Sequence, residues 1–164
     1  MRRRTAAGVL AVLAVLAAVG LVAYGMGLVE YPGEDRHDRA RVTFVAENGT
    51  ELASVEARVA DTRAERMRGL SDAESRDEAF MLFVHGEEAE QTYVMRDMDV
   101  PLDIVFVDAD GVVTTVHGAP VPPDDAGDLT EYEGRAKWVV ELPCGFADEH
   151  GIEPGVEVRV EFLD

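Results

Sequence analysis

At 164 residues the chain is long enough for one domain of ordinary size and too short for two well-packed ones. It carries 33 Asp and Glu against 15 Lys and Arg, a formal net charge of −18, which argues against nucleic acid as a partner because a phosphate backbone requires a basic face. The single cysteine, Cys144, excludes an internal disulfide framework and a Cys-rich zinc site, and an apolar fraction of 47% means that the acidity does not signal disorder.

The basic residues are unevenly placed. Arg2, Arg3 and Arg4 precede 25 uncharged residues, Thr5 to Val29, and no acid occurs before Glu30. A helix of that length, rising about 1.5 Å per residue, spans a hydrocarbon core of about 30 Å. Residues 1–29 therefore read as one transmembrane anchor, with the N-terminus cytoplasmic and the remainder outside the cytoplasm by the positive-inside rule. The alternative is a cleaved signal peptide, whose apolar region usually runs about 7–15 residues; Ala23-Tyr24-Gly25 is a loose cleavage site. No small-residue dimer motif lies in the segment, and the oligomeric state is left open. Residues 30–40, with Pro32 and Gly33, read as a polar tether.

From residue 30 onward the chain holds 33 acids and 12 bases, a net of −21. Such a surface repels itself strongly in dilute salt, whereas at molar salt the Debye length is about 3 Å and the repulsion is screened. Scattered carboxylates and a single lysine, Lys137, point to a halophilic protein. An acidic surface for a cationic partner is the alternative.

Residues 41–164 carry strand signals. Arg41–Val45 and Leu52–Ala60 flank Glu47-Asn48-Gly49, a hairpin signal. Thr62 and Glu65 form a capping box and Gly69 a stop, so a two-turn helix is expected between them, burying Ala64, Met67 and Leu70. Further strands are expected at Ala79–Val84, Gln91–Met95, Leu102–Val107, Val112–Val116, Trp138–Leu142 and Val156–Phe162, with a short helix at Phe146–His150 closed by Gly151. Asp108-Ala109-Asp110-Gly111 reads as a hairpin turn rather than a calcium loop, because the later oxygen ligands are missing. Residues 118–135 carry no pattern and read as a lid or a disordered loop. The sum is an α+β domain, mainly antiparallel β, shaped as a closed or half-closed small barrel with one or two short helices.

These blocks resemble a known family. Val59-Ala60-Asp61-Thr62, Glu65-Arg66, Gly69-Leu70, Met81-Leu82-Phe83-Val84, Met95, Pro101-Leu102-Asp103-Ile104 with Phe106, Asp108 and Gly111, Val140-Glu141-Leu142-Pro143 with Gly145, and Gly151-Ile152 with Gly155 resemble the domain-of-unknown-function family DUF192, over roughly residues 50–162. The resemblance implies a small, mainly antiparallel β domain, frequently secreted or membrane-anchored, with no established activity. The family's aromatic-Met-Lys-Asn-Thr stretch is replaced here by Tyr93-Val94-Met95-Arg96-Asp97-Met98, and its cysteine after Pro-Pro by Asp124.

Asp61, Arg66, Arg96, Asp103 and Glu141, with Met95 beside them, are candidates for a polar pocket at one mouth of the barrel. Such a pocket suits a small polar molecule, for example a sugar or a carboxylate held by Arg. The alternative is structural: Arg66 pairing an inward acid, Asp61 starting the helix, Glu141 accepting from backbone amides. The expected function is a membrane-anchored, extracytoplasmic ligand-binding or interaction module. Two others are weighed: a hydrolase using Asp103 and Glu141 as acid and base, at separations of about 5–9.5 Å, and a Cu(I) protein using Met81, Met95, Met98 and His85. Cys144 is expected as a small buried residue. No catalytic residue, metal ligand or cofactor is assigned.

Overall fold

The computed structural model describes residues 37–69, 80–123 and 128–163. The transmembrane reading of residues 1–29, and all of the tether before His37, lie outside the described residues. No helix among the described residues is long and apolar enough to cross a membrane.

Asn48-Gly49 makes the first turn, with Gly49 at φ 83°, a left-handed conformation that glycine adopts without penalty. It joins β1 (Arg39–Val45) to β2 (Glu51–Ala60) as an antiparallel pair. β1 starts at Arg39, two residues earlier than expected. The capping box then opens α1 (Arg63–Arg68): the Glu65 amide donates to Thr62 Oγ1 at 3.2 Å, and the Thr62 amide to Glu65 Oε2 at 3.0 Å. Gly69 stops the helix at φ 54°, its amide bonded to the Glu65 carbonyl. The helix buries none of its residues, contrary to expectation, and Met67 is 77% exposed, while Leu70 lies outside the described residues. Six residues form too short a helix to cover a core, so its side chains are left for other uses.

β3 (Met81–Val94) joins two segments expected as separate strands. The polar stretch between them is a bulge, with residues 85–88 set against Lys137 alone on β6 (Glu131–Pro143). β4 (Leu102–Val107) and β5 (Val113–Ala119) form a hairpin whose turn is held by Asp108, its Oδ1 accepting from the amides of Asp110 and Val112. That use of the carboxylate fits the turn reading. The loop expected at 118–135 is cut back at both ends, because β5 runs to Ala119 and β6 begins at Glu131. α2 (Phe146–His150), closed by Gly151, and β7 (Glu157–Leu163) complete the chain order.

The seven strands form one sheet in the order β5-β4-β6-β3-β2-β1-β7. All pairs are antiparallel except β2 with β3, which are parallel over three residue pairs, Arg58–Ala60 against Met81–Phe83. The sheet is open, which corrects the closed-barrel expectation. Its edge strands approach each other at one bridge, Val112 to Glu157, rather than along a ladder. Strand alternation is the same in a barrel and in a curved open sheet, so the sequence pattern does not separate them.

Alternating side chains build two cores on the two sides of the sheet. Val105, Val107, Val140 and Leu142 pack with Val42, Phe44, Leu82 and α2's Ala147 in one. Ile104, Phe106 and Val139 pack with Met81, Phe83, Met95 and Met98 in the other. Glu141 and Asp103 interrupt these apolar runs as the buried charged residues among those described.

Candidate functional site

Where β3 runs on past β2, α1 and the turn after β3 stand over the second core and leave a cavity of about 420 Å³. Phe83, Met95 and Met98 give it apolar walls; Glu141 lies in it from the central strand β6. Arg66 comes from α1 and Arg96 from the turn Arg96-Asp97, where Asp97 has φ 53°, unusual for a side chain other than glycine. Tyr93 and His85 from β3 complete the wall facing α1.

Glu141 is the unusual member. It is 7% exposed, and among the described residues its Oε2 has no hydrogen-bond partner. Its strand neighbours are Met81 on one side and Ile104 on the other, so nothing polar across the ladder compensates the carboxyl. Burial pushes its pKa up to about 8, so it is largely a neutral acid at pH 7. Native structures rarely leave such a group unpaired, and this one belongs to a residue that lines the cavity.

Arg66 is half-buried and donates through Nη1 to two backbone carbonyls, Asp61 and Val84, the latter at 2.9 Å. Carbonyls fix the guanidinium without cancelling its charge. The Tyr93 hydroxyl and His85 Nε2 are hydrogen-bonded at 3.0 Å. Burial, then the Arg66 charge, lower the His85 pKa, keeping the imidazole neutral at pH 7. Burial, then Glu141, raise the Tyr93 pKa, and the phenol stays protonated. The Tyr93 ring stands edge-on to Phe83 and Phe106, with centroids 5.1 and 5.8 Å away.

Of the residues singled out from sequence, Arg66, Met95, Arg96 and Glu141 come together around this cavity. Asp61 sits beside it, contributing the carbonyl that holds Arg66. Asp103 goes to the opposite side of the sheet, where its Oδ2 accepts from the Ala147 amide at the start of α2, 2.9 Å away. Asp103 and Glu141 therefore do not flank a common site, and the carboxylate pair weighed for a hydrolase is not assembled. Glu141 does not bind backbone amides as the structural alternative supposed, nor does Arg66 pair a carboxylate among the described residues. Met81 is packed in the second core, while Met95, Met98 and His85 line the cavity. Cys144 is exposed rather than buried, in the turn between Pro143 and α2.

Tyr93 and the exposed Met67 went unassigned as site residues in the sequence. Tyr93 lies two positions before Met95, as strand alternation requires of a neighbour on the same face. Nothing in a six-residue helix marks Met67 as a cavity residue rather than core.

A wider depression of about 990 Å³ lies next to this cavity, sharing Met95 to Met98 and bounded by Pro122, Pro123 and Leu129. Its ionisable groups are mainly exposed acids, Asp97, Asp99, Asp128 and Glu131, and it contains no buried polar group of the Glu141 kind.

Together the sheet and the cavity define a small α+β domain with a polar site set on the apolar face of an open, mainly antiparallel sheet. The DUF192 family profile, described as "Uncharacterized ACR", matches residues 43–160, and the chain belongs to that family. A protein of Sinorhizobium meliloti 1021, described as a "putative transcription regulator", has a similar crystal structure, with TM-score 0.66 and 26% identity over 78% of this chain and 98% of that one. A protein of unknown function from Novosphingobium aromaticivorans DSM 12444 is similar at TM-score 0.61 and 30% identity, over 79% of this chain and 91% of that one. No curated protein matches the chain.

Proposed function

We propose that this DUF192 protein is a membrane-anchored, extracytoplasmic module of a halophile whose outer domain binds a small polar ligand. The observation that carries the binding reading is Glu141: a carboxyl 93% withdrawn from solvent, its Oε2 unpartnered among the described residues, lining a cavity that Arg66 and Arg96 also line. A domain built for structure alone gains nothing from that arrangement, because an unmade buried hydrogen bond costs about 1–3 kcal/mol. The anchor rests on the 25 uncharged residues after three arginines, and the halophilic reading on the net −21 that follows.

The regulator description of the S. meliloti protein is not carried to this chain, since its acidic domain opposes binding to a phosphate backbone. Copper binding gains from the grouping of Met67, Met95, Met98 and His85 around one cavity. The Arg66 charge beside His85 weighs against a cation there.

The binding reading is tested by thermal-shift measurements on the full chain in detergent and molar salt, with a panel of neutral, cationic and anionic small molecules and Cu(I). A ligand that raises Tm, and raises it less in Glu141→Leu, is expected; no shift across the panel would sink it. Intact-mass measurement of the membrane fraction tests the anchor, and a chain beginning after Gly25 would overturn it.

A further inference from the structure

Resting on that reading of the cavity, we infer that the ligand is a small organic monoanion: its carboxylate sits against Arg66 and Arg96, and an uncharged oxygen further along accepts a hydrogen bond from the Glu141 carboxyl. Three features of the site lead there. The first is the sign of its charge. On a domain of net −21, the cavity gathers Arg63, Arg66, Arg68 and Arg96, four of the twelve basic residues that follow residue 30, against one exposed acid, Asp97, and the buried Glu141. Arg66 is bonded to carbonyls, and Arg96 projects from a turn as an exposed side chain. A carboxylate answers both with charge-assisted hydrogen bonds, and bidentate geometry favours it over a monodentate anion.

The second feature is the state of Glu141. The groups facing it are Tyr93 and His85 from β3 and Arg66 from α1, while β4 presents Ile104. Tyr93 stays a phenol and His85 stays neutral, so Arg66 is the one formal charge in this set, and burial is what raises Glu141. A neutral carboxyl carries a proton to donate. The third feature is the apolar surface of Phe83, Met95 and Met98, which suits a short hydrocarbon stretch between the two polar ends. A hydroxy or keto acid has this layout. An amino acid does not, because its ammonium would enter a site already positive and would require Glu141 to lose its proton.

The test is calorimetric titration of the full chain in detergent and molar KCl at pH 7. The probes are butanoate, pentanoate and hexanoate, each carrying hydrogen, hydroxyl or ammonium at the far carbon, together with the primary amides of the hydroxy acids. At one chain length the hydroxy acid is expected to bind about tenfold more tightly than the unsubstituted acid, and its amide at least tenfold more weakly. Glu141→Leu should erase the hydroxyl preference and keep the preference for acid over amide; Glu141→Met provides a second, donor-free variant for the same comparison. Arg96→Gln should weaken all the acids and leave the hydroxyl preference intact. Tightest binding of the amino acids with release of a proton would overturn the inference, as would equal binding of acids and amides, or hydroxyl preference unchanged in both Glu141 variants. If none of these probes binds but a neutral or cationic compound from the wider panel does, the monoanion inference falls and the binding site stands; if nothing binds, both fall.

Discussion

Asp103 and Glu141 lie on adjacent strands, one residue out of step, and face opposite sides of the sheet. The register pairs Ile104 with Glu141 and Asp103 with Leu142, so each carboxyl enters a different core. One is satisfied by an amide of α2 and the other is left for the cavity. Two buried acids thus have separate duties, structural for Asp103 and ligand-facing for Glu141 in the reading proposed here.

The raised pKa of Glu141 makes stability depend on pH. An unfolded Glu titrates near 4.5 and the folded one at about 8, so between those values the folded state holds a proton that the unfolded state has lost. Stability is fully present below the lower value and falls as pH rises, by up to about 1.4 kcal/mol per unit, until the folded group ionises. His85, with its lowered pKa, acts in the opposite sense below about 6.5. Denaturant unfolding between pH 6.5 and 8 should therefore show a falling midpoint that Glu141→Gln flattens. Equal slopes in the two proteins would refute the assignment.

Asp103→Ala leaves the Ala147 amide without its acceptor beneath α2. A loss of about 1–3 kcal/mol is expected in equilibrium unfolding. Ligand affinity at the cavity should change by less than twofold, about 0.4 kcal/mol, because the side chain lies on the other side of the sheet. A large loss of binding at unchanged stability would mean that Asp103 reaches the site.

Gly134 is buried on β6, and a Cβ built there would lie 2.5 Å from Cγ of Phe106, which is itself wholly buried. Gly134→Ala must displace that ring, at about 1–3 kcal/mol. The shift should reach Tyr93, which packs edge-on against Phe106. Thermal unfolding and the Tyr93 ring resonances report both effects; an unchanged Tm would show that the sheet yields instead.

If the net charge is a salt adaptation, the Tm of the full chain should fall steadily as KCl is reduced from molar to about 0.1 M, where the Debye length grows from about 3 to about 10 Å. Sodium sulfate at equal ionic strength separates screening from general salting-out. A Tm independent of salt would leave the acidity without that explanation.

Local chemistry made some of this legible in advance. Asn48-Gly49, the Thr62 and Glu65 capping box and Gly151 each act within a few residues, and each appears where its chemistry puts it. Arg66 and Glu141 are legible as charges in or beside strand and turn segments. What escaped depends on distant partners. The bulge that turns the polar residues 85–88 into strand exists because β6 continues alongside. The separation of Asp103 from Glu141 follows from strand register, which a sequence without known pairings does not contain. Whether the sheet closes depends on how far the edges at β5 and β7 twist apart.

β1 and β7 pair antiparallel, with Arg39 opposite Leu163, so the first and last described strands enter and leave the sheet side by side. A pull applied through both ends would load that ladder from one end and break its hydrogen bonds in succession rather than together. The domain is therefore mechanically soft along this direction. A tension sensor or a tag attached after β7 would sit next to the start of β1.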